Sequence, residues 1–161
     1  MIHKPTYRVR PAGFISRSTA FIIDLVIISL TSTLIIFGLN EILAFFGIKV
    51  LITRWIGGSV NPETINNAVR ILAGLITWTY ALLYFAVFWY IIGYTPGKYL
   101  LGLEIIRLNG TRLGFGKCLL RVLSYYLSAL LLFMGFFWII FDHKRQGLHD
   151  KIAGTIVIYR K

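Results

Sequence analysis

Acidic side chains are scarce in this sequence: six Asp and Glu stand against seventeen Lys and Arg in 161 residues. So few carboxylates leave no acidic run in which hard cations could collect, and we expect neither a metal site nor a cofactor. Asp142, His143, His149 and Asp150 crowd together near the end of the chain, but their spacing fixes no coordination geometry. Cysteine is almost missing too, and Cys118 standing alone excludes an intrachain disulfide. No nucleophile, base and orienting group recur together, so we expect no enzyme. The segment from residue 93 to 98, GYTPGK, falls short of a phosphate-binding loop. It has three residues between glycine and Gly-Lys where that loop has four, and Tyr99 stands where Ser or Thr is needed.

What the chain has in excess is apolar sequence. Hydrophobic residues make up 57% of it, above the roughly 45–50% of soluble domains, and they lie in long runs. We therefore expect an all-α integral membrane protein, a single domain forming a small helical bundle with three hydrophobic segments. The first, residues 14 to 37, is long enough to cross a hydrocarbon layer about 30 Å thick. Its polar lead and its length argue against a signal peptide. The second runs from a helix start at Asn61-Pro62-Glu63, with Asn as N-cap, Pro at the first helical position and an acid in the first turn, to about residue 93. Of its many aromatics, Trp89 and Tyr90, with Tyr94 just beyond, fit an interfacial belt. The stretch between these segments, residues 40 to 67, is charge-balanced and suits the outer face, with part of it along the membrane surface.

The third segment, residues 122 to 141, sets a topological conflict. Lys and Arg number four in residues 1 to 17, five in 98 to 121 and five in 144 to 161, but only Lys49, Arg54 and Arg70 belong to the side expected to be outer. All three basic stretches favour the cytoplasmic side. A single crossing by residues 122 to 141 would push the last of them outside, so a re-entrant hairpin turning near Met134-Gly135 is favoured over one crossing. The net charge of +11 is thus assigned to membrane topology and anionic headgroups, not to nucleic acid. Residues 103 to 108, LEIIRL, alternate apolar and charged side chains, and Asn109-Gly110 signals a hairpin turn. GTIVIYR, residues 154 to 160, could pair with LEIIRL as a short cytoplasmic β-element.

Charge inside the first segment draws attention to function. Asp24 lies within it, and an intramembrane acid costs about 2.5–3.5 kcal/mol on insertion scales unless something holds it. Arg17, seven residues earlier, is nearly on the same face but about 10 Å away along the axis. Asp24 therefore needs a further partner. Arg17 itself reads either as a headgroup-snorkelling anchor or as the partner of Asp24 or Asp150. Ser29, Thr31, Ser32 and Thr33 could line a polar path, although hydroxyls in helices more often bond back to their own carbonyls.

Three stretches together, GFISRSTAFIIDLVI, then Gly93-Tyr94-Thr95-Pro96-Gly97-Lys98 with Leu101-Gly102, then KRQGLHDKIAGT, resemble the RDD family of bacterial and archaeal membrane proteins. That family is named for an arginine and two aspartates, which fall here on Arg17, Asp24 and Asp150. The resemblance implies a multi-pass protein of the cytoplasmic membrane. Family members are described as of unknown function or as transporters, some exchanging sodium or other monovalent cations for protons. The expectation is a polar cluster of Arg17, Asp24 and Asp150, supported by Gly97, Lys98 and His149, with the N-terminus cytoplasmic. Lys98 reads as a contact for lipid phosphate or a carboxylate. Function is then small-solute or cation transport by a homo-oligomer, with Asp24 carrying the proton, or else an accessory or assembly role in a larger membrane complex.

Overall fold

Helix α1 begins at Phe14, immediately after Gly13, and its apolar residues carry it through to Phe45 without interruption at Asp24. The computed structural model describes residues 10–48, 51, 54–55, 61–131 and 134–160. At about 1.5 Å per residue the 32 residues of α1 exceed the hydrocarbon thickness, and the helix continues past the expected end at residue 37. Asn40, which would favour a turn, instead returns its side chain to the carbonyl of Ile36 at 3.0 Å. Much of the expected surface-lying stretch, at residues 49–50, 52–53 and 56–60, lies outside the described residues. Helix α2, Pro62–Ile91, opens as its cap residues dictate, with the Glu63 N–H donating to Asn61 Oδ1 at 3.0 Å. Both α1 and α2 are long and apolar enough to cross a membrane.

After α2 come a single-turn helix α3 (Pro96–Leu100), strand β1 (Leu103–Arg107), helices α4 (Phe115–Leu130), α5 (Met134–Phe141) and α6 (Leu148–Ala153), and strand β2 (Thr155–Tyr159). Strands β1 and β2 pair antiparallel from Leu103 opposite Tyr159 to Arg107 opposite Thr155, as the alternating sequences imply. Residues 10 to 12 extend this sheet along the other edge of β2, through a bridge between Pro11 and Ile158 and the bond from Ala12 N to Val157 O at 2.9 Å. Gly154, at φ 67°, closes α6 in the left-handed conformation that glycine adopts without steric cost. The turn at Asn109-Gly110 forms, but no second arm follows it. The Ile105 N–H is already spent on Gly93 O, and the chain beyond Thr111 leads straight to α4.

The third hydrophobic segment is a broken helix rather than one straight span. Helix α4 starts seven residues before the expected start at 122, and α4 and α5 meet at 99°. That bend lies between a straight crossing and a full reversal.

By contact density the chain divides into two units, one of residues 1–26 with 82–161 and the other of residues 27–81. The first unit has a core in which Trp89, Leu103, Ile105, Cys118, Val122 and Val157 are buried. Trp89 is thus no interfacial belt residue: it is 1% exposed, with Lys98 and Arg121 stacked on its ring, whereas its neighbour Tyr90 is half exposed. The second unit consists of the remaining lengths of α1 and α2 with the residues between them. Its hydroxyls are bonded locally: Thr31 to Ile27 O at 2.7 Å, Thr33 to Ser29 O at 2.8 Å and Thr77 to Ala73 O at 2.9 Å.

Candidate functional site

The first unit holds two fully buried carboxylates, Asp24 and Asp150, and each is anchored by elements distant in sequence. Asp24 lies nearly three turns into α1. Its Oδ1 accepts from Tyr84 OH on α2 at 3.0 Å and from the Gly97 N–H of α3 at 2.8 Å, while Thr95 Oγ1 donates to Oδ2 at 2.5 Å. The composition of GYTPGK follows from this. Thr95 is the N-cap of α3, extended at φ −94° and ψ 164°, yet its hydroxyl goes to Asp24 rather than to its own helix. The Asp24 carboxylate therefore caps α3 in its place, satisfying one of the amides a helix start leaves free. Pro96 sets the first turn, and Gly97 allows the approach: a Cβ there would lie 2.8 Å from Asp24 Oδ1 and collide with Ala20 O.

Asp150 is held differently. Arg17 Nη1 reaches its Oδ2 and Arg121 Nη2 its Oδ1, both at 2.5 Å, and the Gly147 N–H donates to Oδ2 at 3.0 Å across the start of α6. Arg17 spends its other nitrogens on Ala12 O (3.0 Å) and Val157 O (3.3 Å), which ties the start of α1 to the sheet. Arg121 also donates to Thr155 Oγ1 and lies over the rings of Trp89 and Tyr125. Burial alone would raise the pKa of Asp150, but the Arg121 and Arg17 guanidiniums outweigh it and hold the carboxyl below the usual range. The adjacent His149 stacks on Tyr125 at 4.2 Å between ring centres; burial, only partly offset by Asp150, lowers its pKa to about 3, so it is neutral.

Arg17 and Asp150 thus meet as a buried ion pair, which removes the reading of Arg17 as a headgroup anchor. Asp24 joins neither of them through a bond. The partners it needed are two hydroxyls and a backbone amide. Lys98, on α3, is 2% exposed and makes no hydrogen bond or ion pair among the described residues. Burial brings its pKa down to about 8, with Asp24 as the largest opposing influence. His149 Nδ1 is buried without a hydrogen-bond partner. Sequence reasoning missed Arg121, the second cation on Asp150. Its signal was spacing: Cys118, Arg121, Val122, Tyr125 and Ser128 recur at three- and four-residue intervals, which places a lone cation on the inward stripe of α4. Tyr84 and Thr95 were likewise not foreseen as ligands of Asp24.

In chemical terms each carboxylate oxygen of the two acids is met by at least one donor. Among the described residues no group of three or more His, Cys, Asp or Glu is placed to hold a metal ion. Among the described residues the buried charged groups are Arg17, Lys98 and Arg121 against Asp24 and Asp150, an excess of one cation; both arginines pair with Asp150, and Lys98 makes no ion pair.

The family model described as RDD family matches residues 11–154. Uncharacterized protein YxaI of Bacillus subtilis is 30% identical over 162 residues, covering 94% of this chain and 99% of that one. Uncharacterized protein RP437 of Rickettsia prowazekii is 37% identical over 75 residues, 47% of this chain and 42% of its own. A proline-rich antigen homolog of Mycobacterium tuberculosis is 35% identical over 68 residues, 42% of this chain and 28% of its own. No solved structure matches significantly.

Proposed function

Given that the chain belongs to the RDD family, whose relatives above carry names that assign no transport activity, we propose that it acts as a non-transporting membrane module, an accessory or assembly subunit of a larger membrane complex. The observation that carries this reading is that every carboxylate oxygen of both buried acids is already engaged by the protein. An exchanger needs a carboxylate that alternates between an ion and a proton, and such sites usually gather acids at the bilayer midplane. A cation arriving at Asp24 would have to displace Tyr84, Thr95 and the Gly97 amide together. At Asp150 it would have to displace two guanidiniums. A match between 42% of this chain and 28% of a proline-rich antigen homolog supports part of this sequence recurring within a longer protein. The module is non-enzymatic and multi-pass in the cytoplasmic membrane, with its basic stretches and N-terminus on the cytoplasmic side near anionic headgroups, and it does not bind nucleic acid.

The test is ion flux. Purified protein in liposomes with an entrapped pH dye should give no proton movement on imposing a sodium or potassium gradient, and Asp24→Asn should leave that baseline unchanged. Ion-dependent flux that Asp24→Asn abolishes in folded protein would overturn the reading.

A second reading, small-solute transport or monovalent cation/proton exchange by a homo-oligomer, is favoured by Lys98. Its amine, lowered to about 8 and influenced by Asp24, can exchange a proton close to neutral pH. That reading requires Lys98→Gln to abolish flux as completely as Asp24→Asn.

A further inference from the structure

Arg17, Lys98 and His149 open onto one cavity in the first unit, of about 280 Å³, whose other walls include Phe14, Phe21 and Phe136. Its polar lining is made of the two cations, the neutral imidazole and the hydroxyl-bearing residues Ser18 and Tyr125, and neither acid lines it. Arg17 is already paired, but Lys98 is nine-tenths buried and more, with no bond to its ammonium among the described residues. A buried ammonium in apolar surroundings is costly unless an anion meets it. The wall residues Ile22 and Phe137 are 59% and 50% exposed, so the mouth lies between α1 and α5. With α1 as a membrane span, that mouth faces acyl chains.

We propose that this cavity binds the carboxylate end of a long-chain fatty-acid anion taken from the bilayer, with Lys98 as its counter-ion and the aromatic walls enclosing the first methylenes. The space is about 280 Å³ and its walls are mostly aromatic and aliphatic, which suits a carboxylate followed by methylenes better than a glycerophosphate headgroup with its ester oxygens. The site stands apart from the accessory reading, since it is detected by binding and not by flux.

The experiment is equilibrium binding of labelled oleate to the full chain, delipidated in neutral maltoside micelles. One saturable site is expected, at least tenfold weaker in Lys98→Gln and partly restored in Lys98→Arg. Ile22→Trp, at the exposed mouth, should block the site without touching the buried charges and serves if Lys98→Gln fails to fold. Oleyl alcohol and acetate should compete poorly, which supports a requirement for chain and charge together. Oleate binding unchanged in Ile22→Trp, acetate or inorganic phosphate competing as well as oleate, or phosphatidylglycerol displacing oleate at equal concentration would each overturn the assignment.

Discussion

Asp24 and Asp150 are the same residue type, both wholly buried in the same unit, and they are held by opposite means. Neutral donors surround Asp24: a phenol, a threonine hydroxyl and a backbone amide. Two guanidiniums flank Asp150. The difference matters because hydroxyls can turn and accept as well as donate, whereas a guanidinium only donates. Asp24 therefore sits in a site that can adapt to loss of charge, and Asp150 in one that cannot. The same substitution at both positions separates the two cases. Asp150→Asn would set an amide NH2 or a weaker carbonyl against fixed cations and leave buried positive charge uncompensated, a loss of about 3–5 kcal/mol. We expect that variant to lose most of its folded yield, measured by monodispersity on size-exclusion chromatography in maltoside.

Acid should weaken the Asp150 end next. An unfolded His149 takes a proton near its ordinary pKa of about 6.5, but the native imidazole resists until about pH 3, so stability falls as pH drops through that interval. Asp150 adds to the fall at lower pH: its native pKa is depressed, so its contribution is intact above about 4 and is lost as pH falls toward the native value. Between pH 7.5 and 5.0 the His149 share amounts to about 2 kcal/mol. Thermal midpoints in micelles should therefore decline over that range in the native chain and stay nearly level in His149→Gln. Equal slopes in the two proteins would break the link to His149.

Asp24→Asn should be milder. The side-chain carbonyl can keep Tyr84 and the Gly97 amide, and the new NH2 can donate to a rotated Thr95 hydroxyl, so the loss is mainly the charge assistance of these bonds, about 1–2 kcal/mol. A destabilisation as large as that of Asp150→Asn would erase the distinction between the sites.

How much of this was legible beforehand differs between the two acids. Asp24 announced itself as a charge in an apolar run, and Arg17 with Asp150 followed from the order of the three motifs. The ligands of Asp24 did not, because Thr95 and Gly97 lie in a turn whose approach to α1 depends on tertiary packing, and Tyr84 was one aromatic among many in α2. Arg121 was hidden by segmentation: dividing the chain between residues 121 and 122 cut a helix that runs Phe115–Leu130 and separated the cation from the inward stripe that identifies it. The hairpin at Asn109-Gly110 was over-read for the complementary reason. Local turn chemistry was correct, but β1 takes its partner from the far end of the chain.

The second unit supplies the weakest contrast and the finest test. The hydroxyls of Thr31, Ser32 and Thr33 return to carbonyls of their own helix, which is why they do not read as a lined path. Thr31 also meets Tyr80 OH at 2.8 Å, linking α1 to α2 within this unit. Hydrogen bonds between helices in membranes average about 0.6 kcal/mol, because the separated helices find other partners. Thr31→Val keeps the shape and removes the hydroxyl, so its loss should stay near that figure. Tyr80→Phe should cost about the same, and the double variant should cost little more than either single change, since both remove one bond. Additive losses would mean that the two hydroxyls act through different neighbours. A loss of several kcal/mol from Thr31→Val would mean that the structural weight is not concentrated around the buried charges of the first unit.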